Sequence, residues 1–303
     1  MRSAIVTGAN GFVGSEIVRN LVNHGFNVYA LYNRSKNRLE TIEKCRTVHC
    51  PMDQFSKIPE KIQDSPDFIF HCAWSGSSGE DRTNIQLQLS NVTSTCALIE
   101  AAKIVGAKRV IVAGSIMEDE VKAVTDSNGS HPSKSYIYGA AKYSAHMMAK
   151  PLAVSLGVDL IWAKITNAYG VGELSPRMLN STIRKCINLE APSFTAATQN
   201  YDFIYITDVA EAFRLIAEKG SSYSEYVVGS GEAKPLRNFL EDLRLSIGNG
   251  LPFLYGNIPY TGVNLPLEKF STEPLFRDTS FKTQIPFPVG VALTRDWLKE
   301  QEN

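Results

Sequence analysis

The sequence predicts a doubly wound α/β fold, in which helices cover both faces of a parallel sheet. Short apolar runs typical of buried strands alternate with longer segments of helical periodicity, and a glycine-rich turn joins the first strand to the first helix. The first run, residues 4–6, precedes a helical pattern over residues 12–22. A second run at residues 28–31 completes a β-α-β unit. Parallel strands joined in this way need right-handed crossovers.

Further elements follow in the same alternation. Strands are predicted at residues 68–70, 110–112 and 160–163, and long helices over residues 87–105 and 137–156. Pro151 lies inside the second of these helices, where proline is expected to kink or shorten it. Beyond residue 165 the alternation weakens, apart from a helical segment at residues 208–216 and a strand at residues 225–229.

The charge balance indicates a small-molecule ligand. The 303 residues include 31 Lys and Arg and 31 Asp and Glu, so the chain lacks the cationic surplus with which proteins bind nucleic acid or anionic membranes. Five cysteines without a C-x-x-C pair indicate neither a disulfide framework nor a metal site. A strand-like N-terminus and the absence of a membrane-spanning apolar window predict a cytoplasmic protein.

A glycine-rich loop connects the first predicted strand to the first predicted helix. Gly8, Gly11 and Gly14 have the spacing G-x-x-G-x-x-G, which lets a pyrophosphate approach the N–H groups of the helix N-terminus without obstruction by a Cβ atom. The spacing also suits a tight turn, but its position between strand and helix favours dinucleotide binding. The cofactor-binding residues predicted from this loop are Gly8, Asn10, Gly11, Phe12, Val13 and Gly14.

The predicted domains follow from this loop and from the later loss of alternation. Residues 1–165 with about 203–229 are assigned to a dinucleotide-binding Rossmann domain. Residues 166–202 with 230–303 are assigned to a smaller substrate-binding part. This part is expected to be rich in loops, because residues 250–290 hold six of the fourteen prolines.

The end of the second strand favours NADP(H) over NAD(H). An acidic residue about 20 positions beyond the glycines helps to bind NAD, and residues 17–39 contain none. Asn33 and Arg34 lie there instead, and Arg34, supported by Lys36 or Arg38, can pair with a 2′-phosphate. The alternative is a solvated basic loop, in which case NAD(H) is the cofactor.

Three residues are predicted to carry the chemistry. Tyr138 and Lys142 are four positions apart on a predicted helix and share a face. A neighbouring cation stabilises a phenolate and lowers the pKa of tyrosine from about 10. Ser115 follows a buried strand, so its hydroxyl should emerge at the carboxyl end of the sheet and donate to the reacting oxygen. Y-x-x-x-K is common on helices, but together with the glycine loop it indicates acid–base chemistry.

These residues resemble the extended short-chain dehydrogenase/reductases, a family of nucleotide-sugar epimerases, dehydratases and 4-ketoreductases. The resemblance covers nearly the whole chain. Residues 7–14 are similar to the family's cofactor loop, residues 67–73 to its D-x-V-x-H-x-A strand, residues 167–170 to its N-V-Y-G turn, residues 202–210 to its segment R-D-F-I-Y-V-D-D-V-A, and Ser115, Tyr138 and Lys142 to its catalytic set.

The resemblance implies roles for further residues. It implies that Tyr138 is the acid or base of a hydride exchange at a sugar carbon and that Lys142 binds the nicotinamide ribose. It also implies that Asp53 contacts the adenine amine. The other residues implied are Ala73 and Asn91 at the cofactor, and Trp74, Ser75 and Asn167 at the substrate.

The chain departs from the family pattern where the pyrophosphate is usually bound by an arginine. Tyr201 stands at that position, so the contact is absent or moved, and Tyr201 is expected at the substrate. Arg277, in a segment similar to a late R-x-D-x-S-K of the family, is a candidate to supply it. The alternative is an exposed loop arginine.

Together these features predict an NADPH-dependent reductase of a nucleotide-linked 4-keto-6-deoxy sugar, with hydride transfer to C4 and Tyr138 as general acid. An NAD-dependent nucleotide-sugar 4-epimerase is the alternative. A 4,6-dehydratase is less favoured because Glu118 and Asp119 are out of frame after Ser115, and the intact catalytic set argues against a non-catalytic sensor. Residues 225–240 look most like bacterial reductases such as the CDP-abequose synthase group.

The two long predicted helices also bear on assembly. Residues 87–105 and 137–156 are amphipathic enough to pair with the same helices of a second copy. The family commonly dimerises in this way, so we expect a homodimer. The alternative is that both apolar faces are buried within one subunit.

Overall fold

A parallel sheet of seven strands forms the centre of the protein, which a computed structural model describes over residues 2–302. Its strands are β1 (Ser3–Thr7), β2 (Asn27–Tyr32), β3 (Cys45–His49), β4 (Phe68–His71), β5 (Arg109–Ser115), β6 (Asp159–Ile165) and β10 (Glu225–Val228). They lie in the order β10-β6-β5-β4-β1-β2-β3, and neighbouring strands are parallel. The predicted doubly wound parallel sheet is therefore confirmed.

Short strands and the helices surround this sheet. Strand β7 (Asn167–Tyr169) pairs with β9 (Phe203–Tyr205), and β8 (Asn200–Tyr201) pairs with β11 (Lys234–Pro235). The helices are α1 (Phe12–Asn23), α2 (Ile58–Lys61), α3 (Ile85–Ile104), α4 (Met117–Thr125), α5 (Ile137–Leu156), α6 (Met178–Ile187), α7 (Ile206–Lys219), α8 (Leu236–Ile247), α9 (Glu273–Thr279) and α10 (Phe287–Glu302). Short 3-10 helices are formed by Met52–Lys57, Glu80–Thr83, Lys134–Tyr136 and Leu267–Phe270.

The strand order changes direction between β1 and β4. After β1 the chain adds β2 and β3 on one side, and it then returns to build β4, β5, β6 and β10 on the other side. At such a reversal the loops that leave two adjacent strands diverge and open a crevice at the carboxyl end of the sheet. Gly8 follows β1 and Cys72 follows β4, so the glycine loop lies at this crevice.

The sheet separates two hydrophobic cores because successive side chains of a strand point to opposite faces. In β1, Ala4 and Val6 belong to the core that α1 and α7 complete, whereas Ile5 belongs to the core under α3 and α5. Helix α1 packs along α7, and α3 packs along α5. Strands buried on both faces are apolar throughout, which is why their runs were recognisable in the sequence.

The structure contains elements that the sequence did not predict. Strand β3 is an edge strand with half-buried or exposed residues, so it lacks an apolar run. Helix α4 follows β5 almost directly and begins with three acidic residues in its first turn. The C-terminal part is more helical than expected: it contains α10, which packs on both α6 and α8. Its long irregular stretch lies between α8 and α9.

Helix α5 continues through Pro151 to Leu156 without being shortened. Proline lacks the N–H that would bond to the carbonyl four residues earlier. That carbonyl belongs to Met147, a residue on the exposed side of the helix. Of the two expected effects, a kink or a shortening, the shortening is wrong, and the proline lies on the solvent side of the helix.

Strand β10 extends the sheet beside β6, with Glu225 in register with Trp162. No helix within residues 2–302 has the length and apolar character that crossing a bilayer requires.

Candidate active site

A cleft of about 1110 Å³ opens at the carboxyl ends of the strands, a volume that suits a dinucleotide together with a small substrate. It brings together most residues that the sequence singled out. The predicted residues that line it are Gly8, Asn10, Gly11, Phe12, Val13, Gly14, Asn33, Arg34, Ala73, Trp74, Ser75, Ser115, Tyr138, Lys142, Asn167 and Tyr201.

The glycines of the loop are needed for contacts within the protein. Gly8 has φ +64°, and a Cβ built on it would lie 2.6 Å from the Ala73 backbone. A Cβ on Gly14 would lie 2.2 Å from the Gly8 carbonyl oxygen. These two glycines are therefore also required by packing within the protein: they allow the turn to pack on the β4 loop and α1 to pack on the turn. Gly11 is less crowded, with the Gly8 oxygen at 3.1 Å.

The N-terminus of α1 fits a phosphate group. The cap residue is Gly11, which has no side chain that could accept a hydrogen bond from the helix. The first N–H groups of an α-helix also have no partner within the helix. No acidic residue lies in the first turn, so nothing repels an anion from the positive end of the helix dipole. The donor set therefore suits the pyrophosphate of a dinucleotide.

Asn10 ties the basic loop after β2 to the glycine loop. Its amide donates to Ser35 Oγ at 2.9 Å and to Asn37 Oδ1 at 3.0 Å, and its oxygen accepts from the Arg38 backbone N–H at 3.0 Å. Arg38 Nη2 in turn donates to the Gly172 carbonyl at 2.6 Å. Arg38 is therefore engaged in structure, and Arg34 is the exposed cation of this loop that lines the cleft.

Tyr138 is a buried phenol whose pKa is raised above its usual value, chiefly by burial. The positive charges that lower its pKa are those of Arg177 and Arg82, and a hydrogen bond with the Ser115 side chain acts in the same direction. The Trp74 ring contacts the Tyr138 ring edge to face, with centroids 6.1 Å apart. Ser115 and Tyr138 thus place two hydroxyl groups together in the cleft.

Lys142 contacts other groups than those expected from its spacing. Its Nζ donates to the Ala113 carbonyl at 2.7 Å and lies 3.8 Å from the centroid of the Trp74 ring. Burial lowers its pKa to about 8, while Glu118 and Cys72 oppose this shift. The ammonium is thus still largely protonated at neutral pH.

The backbone of Ser115 is fixed by a hydrogen bond to the side chain of Glu118. This carboxylate is buried and accepts from the Ser115 N–H at 2.8 Å and from Trp162 Nε1 at 3.0 Å. The Trp162 ring stacks on His146 at a centroid distance of 4.4 Å. Because it is committed to these partners, Glu118 cannot act as a free acid or base in the cleft.

The loop after β4 forms one wall of the cleft, and α3 holds it. Gln88 accepts from Trp74 Nε1 at 2.9 Å and donates to the carbonyls of Gly76 at 2.9 Å and Asp81 at 3.1 Å. Asn91 accepts from the Ser75 N–H at 2.8 Å and donates to the Ser75 carbonyl at 2.9 Å. These two amides replace the hydrogen bonds that the loop backbone lacks.

His71 links β1, β4 and α3 beneath this loop. Its ring nitrogens lie 2.8 Å from Thr7 Oγ1 and 3.0 Å from Thr95 Oγ1. Burial lowers its pKa to about 3, with Lys142 acting in the same direction. His71 is therefore neutral at physiological pH, and the histidine of the D-x-V-x-H-x-A motif serves to fix the strands.

Three predicted site residues lie outside the cleft lining. Asp53 is exposed in the 3-10 helix after β3. Asn91 is buried and acts on the cleft only through Ser75. Arg277 has a side chain that is 62% exposed, and it pairs with Asp278 at 2.9 Å on α9, as the alternative of an exposed arginine anticipated.

Asn167 and Tyr201 support the opposite wall. Asn167 donates to the Asp202 carbonyl at 2.9 Å, which ties β7 to the turn before β9. The Tyr201 ring packs on Phe203 at a centroid distance of 5.2 Å. Burial raises the pKa of Tyr201 to about 12, so its hydroxyl is a hydrogen-bond donor at neutral pH.

Arg82, Glu120 and Arg177 line the cleft and were missed by the sequence analysis. Arg82 follows the Gly- and Ser-rich stretch at residues 75–79, which leaves the carboxyl end of β4. Because ligands bind at this end of the sheet, the position of this loop could have indicated Arg82. Arg177 gave no such signal. Burial raises the pKa of Glu120 to about 7, opposed by Arg82. Within residues 2–302 no cluster of His, Cys, Asp and Glu could hold a metal ion.

Comparisons with known proteins find similar sequences among nucleotide-sugar enzymes. A trifunctional UDP-glucose 4,6-dehydratase/UDP-4-keto-6-deoxy-D-glucose 3,5-epimerase/UDP-4-keto-L-rhamnose-reductase of Arabidopsis thaliana is 22% identical over 267 residues, 80% of this chain and 39% of that protein. The chain therefore spans about two fifths of that relative's length. The CDP-abequose synthase of Salmonella muenchen is 24% identical over 260 residues, 85% of each chain.

Structural comparison gives the same fold. The crystal structure of UDP-glucose 4-epimerase with UDP-glucose from the hyperthermophilic eubacterium Thermotoga maritima superposes with a TM-score of 0.81 at 18% identity, covering 99% of this chain and 100% of that one. The sequence model of the NAD dependent epimerase/dehydratase family matches residues 4–229. This match includes the glycine loop, Ser115, Tyr138 and Lys142, and the chain belongs to the NAD dependent epimerase/dehydratase family.

Proposed function

We propose that the protein is an NADPH-dependent reductase of a nucleotide-linked 4-keto-6-deoxy sugar. The observation that carries this proposal is the convergence of the glycine loop, Ser115, Tyr138 and Lys142 on one cleft. A donor set for a pyrophosphate and a pair of hydroxyl groups for a reacting oxygen are the two parts that such a reduction needs.

In the proposed reduction each of these side chains has a separate role. When bound, the reduced dinucleotide supplies a hydride to C4 of the sugar. Tyr138 gives its proton to the oxygen on that carbon, and Ser115 donates a hydrogen bond as negative charge develops there. Lys142, fixed by the Ala113 carbonyl, is available to the ribose of the cofactor. The Trp74 ring packs edge to face against the phenol and limits where a substrate can approach it.

Arg34 supports the choice of NADPH. It is exposed at the cleft beyond β2, in a stretch with no acidic residue between positions 17 and 39. A guanidinium group binds a 2′-phosphate through charge-assisted hydrogen bonds. Asn10 holds the neighbouring Ser35 and Arg38 and so fixes the loop that presents Arg34.

The substrate class is supported by the relatives and by the charge of the cleft. CDP-abequose synthase is among the similar proteins, and nucleotide sugars carry a diphosphate. Arg82 and Arg177 line the part of the cleft near Tyr138. They are suitable cations for the diphosphate, whose usual arginine is replaced by Tyr201 in this chain.

The test is an initial-rate assay with the purified protein. NADPH and NADH oxidation are measured with a panel of CDP-, dTDP-, GDP- and UDP-linked 4-keto-6-deoxy sugars. We expect oxidation of NADPH with one nucleotide class. Tyr138→Phe should lose this activity and still bind cofactor, whereas Tyr143→Phe, on the same helix outside the cleft lining, should retain activity.

A 4-epimerase is the second candidate, and the NAD dependence in the family's description favours it. In that case no sugar of the panel consumes either cofactor, and the denatured protein releases tightly bound NAD. This result would overturn the reductase proposal and leave Arg34 as a surface charge.

The proposed enzyme is a homodimer of the cytoplasm. Helices α3 and α5 expose large apolar side chains, including Leu89 and Ile104 on α3 and Met148 on α5, and apolar surface of this kind suits pairing with a second copy. Five free thiols are compatible with a reducing compartment.

A further inference from the structure

A hydrogen bond joins two loops that lie on opposite sides of the cleft. Arg38, in the loop after β2, donates from Nη2 to the carbonyl of Gly172 at 2.6 Å. Gly172 belongs to the β7–α6 loop, residues 170–177. Arg38 lines the cleft on one side, and Glu173 and Ser175 of the β7–α6 loop line it on the other. This contact is named the Arg38–Gly172 bridge.

The bridge crosses the carboxyl end of the sheet. Strands β2 and β6 are separated by β1, β4 and β5, and four spacings of about 4.8 Å place them about 19 Å apart. Strand β7 begins two residues after β6 ends, so the β7–α6 loop starts on the far side of the sheet from Arg38. Loops that start this far apart meet only by crossing the strands between them. One of these strands is β1, whose end carries the glycine loop.

The bridge passes beside the start of α1. A Cβ built on Gly172 would lie 2.9 Å from Arg38 Nη1 and 3.8 Å from Cδ2 of Phe12. Phe12 is the first residue of α1, and the N–H groups at this helix end are the donors that suit a pyrophosphate. The bridge therefore lies next to the donors that a dinucleotide requires.

Both loops are held by hydrogen bonds other than the bridge. Asn10 accepts from the Arg38 backbone N–H at 3.0 Å. In the β7–α6 loop, Asn180 donates to the Glu173 carbonyl at 2.6 Å, and the Glu173 carboxylate accepts from the Ser175 N–H at 2.9 Å. None of these bonds uses the Arg38 side chain, so the bridge can open by rotation of that side chain alone.

The charge of Arg38 strengthens the bridge. Hydrogen bonds with one ionised partner are about twice as strong as those between neutral groups. The negative charge of Glu173 also attracts the guanidinium toward the β7–α6 loop. The closed bridge is thus the stable arrangement, and one side-chain hydrogen bond is still weak enough to open on the timescale of loop motion.

We propose that the Arg38–Gly172 bridge is a gate for the dinucleotide, which opens each time the cofactor enters or leaves the cleft. The inference rests on the proposed function in one respect, that a dinucleotide binds on the glycine loop. Arg38 then controls the rate of cofactor exchange and not the affinity, because the same bond is broken on entry and on release. A reductase exchanges its cofactor at every turnover, so the gate bears directly on its rate.

Stopped-flow fluorescence measures both directions of exchange without a sugar substrate. Energy transfer from tryptophan to NADPH follows association, and displacement by excess NADP+ follows dissociation. We expect Arg38→Gln to raise both rate constants about 10-fold, as expected for loss of a charge-assisted hydrogen bond, and to leave the Kd nearly unchanged. The same increases are expected for NADH displaced by NAD+, because a gate does not depend on the 2′-phosphate.

Gly172→Ala tests the gate from the other loop and keeps the positive charge of Arg38. Gly172 has φ +92°, and the added Cβ would lie 2.9 Å from Arg38 Nη1, so the guanidinium has to move away. This variant should speed exchange as Arg38→Gln does. Gly231→Ala is the matched control, because Gly231 has φ +81° and its Cβ would lie 2.9 Å from Thr272 Oγ1, outside the cleft lining. Lys36→Gln, which removes a cation outside this lining, should also leave both rates unchanged.

Unchanged exchange rates in Arg38→Gln or in Gly172→Ala would overturn the inference. Faster dissociation of NADPH alone in Arg38→Gln, with unchanged association, would also contradict it, because that result is expected if Arg38 binds the 2′-phosphate. Thermal unfolding checks that each variant is folded. Where one is not, Arg38→Met replaces Arg38→Gln, and Gly172→Asn replaces Gly172→Ala, since asparagine tolerates positive φ.

The sugar assay separates this inference from the proposed function. Faster exchange in both variants retains the gate even if the wild type reduces no keto sugar, in which case only the function fails. Reduction of a keto sugar with unchanged exchange rates retains the function and rejects the gate. A protein that binds neither dinucleotide contradicts both.

Discussion

Arg34 and Arg38 differ in their surroundings although both are basic residues of one short loop. Arg38 donates to the Gly172 carbonyl and is half-buried, whereas Arg34 is exposed at the cleft. Their charges are therefore not interchangeable, and only Arg34 is free to bind a phosphate that enters with a ligand.

Arg34→Ser is expected to raise the KM for NADPH about 10-fold or more and to leave the KM for NADH nearly unchanged. A charge-assisted hydrogen bond contributes about 1.5–3 kcal/mol, which corresponds to this factor or a larger one. Steady-state kinetics with both cofactors provide the measurement. Lys36→Ser, in the same loop but outside the cleft lining, is the matched control. Equal effects of Arg34→Ser on the two cofactors would contradict the preference for NADP.

Glu118 shows how a buried carboxylate can hold the backbone of a proposed catalytic serine, Ser115. Glu118→Leu would leave the Ser115 N–H and Trp162 Nε1 without their acceptor. Each buried donor without a partner costs about 1–3 kcal/mol, so we expect the free energy of unfolding to fall by about 3 kcal/mol, measured by urea denaturation. Glu118→Gln keeps an acceptor oxygen and should lose less. A loss equal to that of the leucine variant would show that packing, and not these bonds, is responsible.

The turn between β1 and α1 is an element in which neighbouring glycines have different tasks. Gly14→Ala would place a Cβ 2.2 Å from the Gly8 oxygen, whereas the same change at Gly11 meets that oxygen at 3.1 Å. We expect Gly14→Ala to lower the free energy of unfolding by about 3 kcal/mol, since overpacking forces the backbone to shift. Gly11→Ala should mainly weaken cofactor binding. Denaturation and cofactor titration of both variants distinguish the two effects, and equal stability losses would contradict this division.

The link between β1, β4 and α3 through His71 predicts a pH dependence of stability. The folded protein holds His71 neutral with a pKa near 3, whereas an unfolded histidine has a pKa of about 6.5. The unfolded state therefore binds one more proton between these values. The stabilising effect of neutral His71 is complete above pH 6.5 and is lost as the pH falls toward 3.

Urea denaturation at pH 7 and pH 5 measures this effect. We expect the free energy of unfolding of the wild type to fall by about 2 kcal/mol from pH 7 to pH 5 because of His71. His71→Gln cannot be protonated and should show a correspondingly smaller loss, whatever its stability at pH 7. The same pH dependence in both proteins would mean that His71 becomes protonated in the folded state.

At the scale of the whole molecule, α3 and α5 pack along each other and still expose apolar side chains. Leu89 is 51% and Met148 is 56% exposed. We expect a dimer in analytical ultracentrifugation, and Met148→Glu should shift it to monomer by placing a charge in the interface. Val289→Glu, on α10 and 47% exposed, is the control that should not change the mass. A monomeric wild type would refute the proposed assembly.

The sheet and the glycine loop were predictable because their signals are local. Residues 4–6, 28–31 and 110–112 are apolar without interruption, since the strands that contain them are buried on both faces. A glycine-rich turn between strand and helix is likewise contained in seven consecutive residues. Tyr138 and Lys142 share a helix face by spacing alone. These features need no knowledge of which distant residues are neighbours.

The remaining features depend on contacts between residues far apart in the chain. Strand β3 has no apolar run because it is an edge strand, and its edge position follows from its pairing with β2. Gly8 must be glycine because the loop after β4 passes within 2.6 Å of the place of its Cβ. Arg82 reaches the Tyr138 ring from another loop, while Arg277 stays on the surface with Asp278. Periodicity cannot report such neighbours, because packing between distant segments decides which charges meet in the cleft.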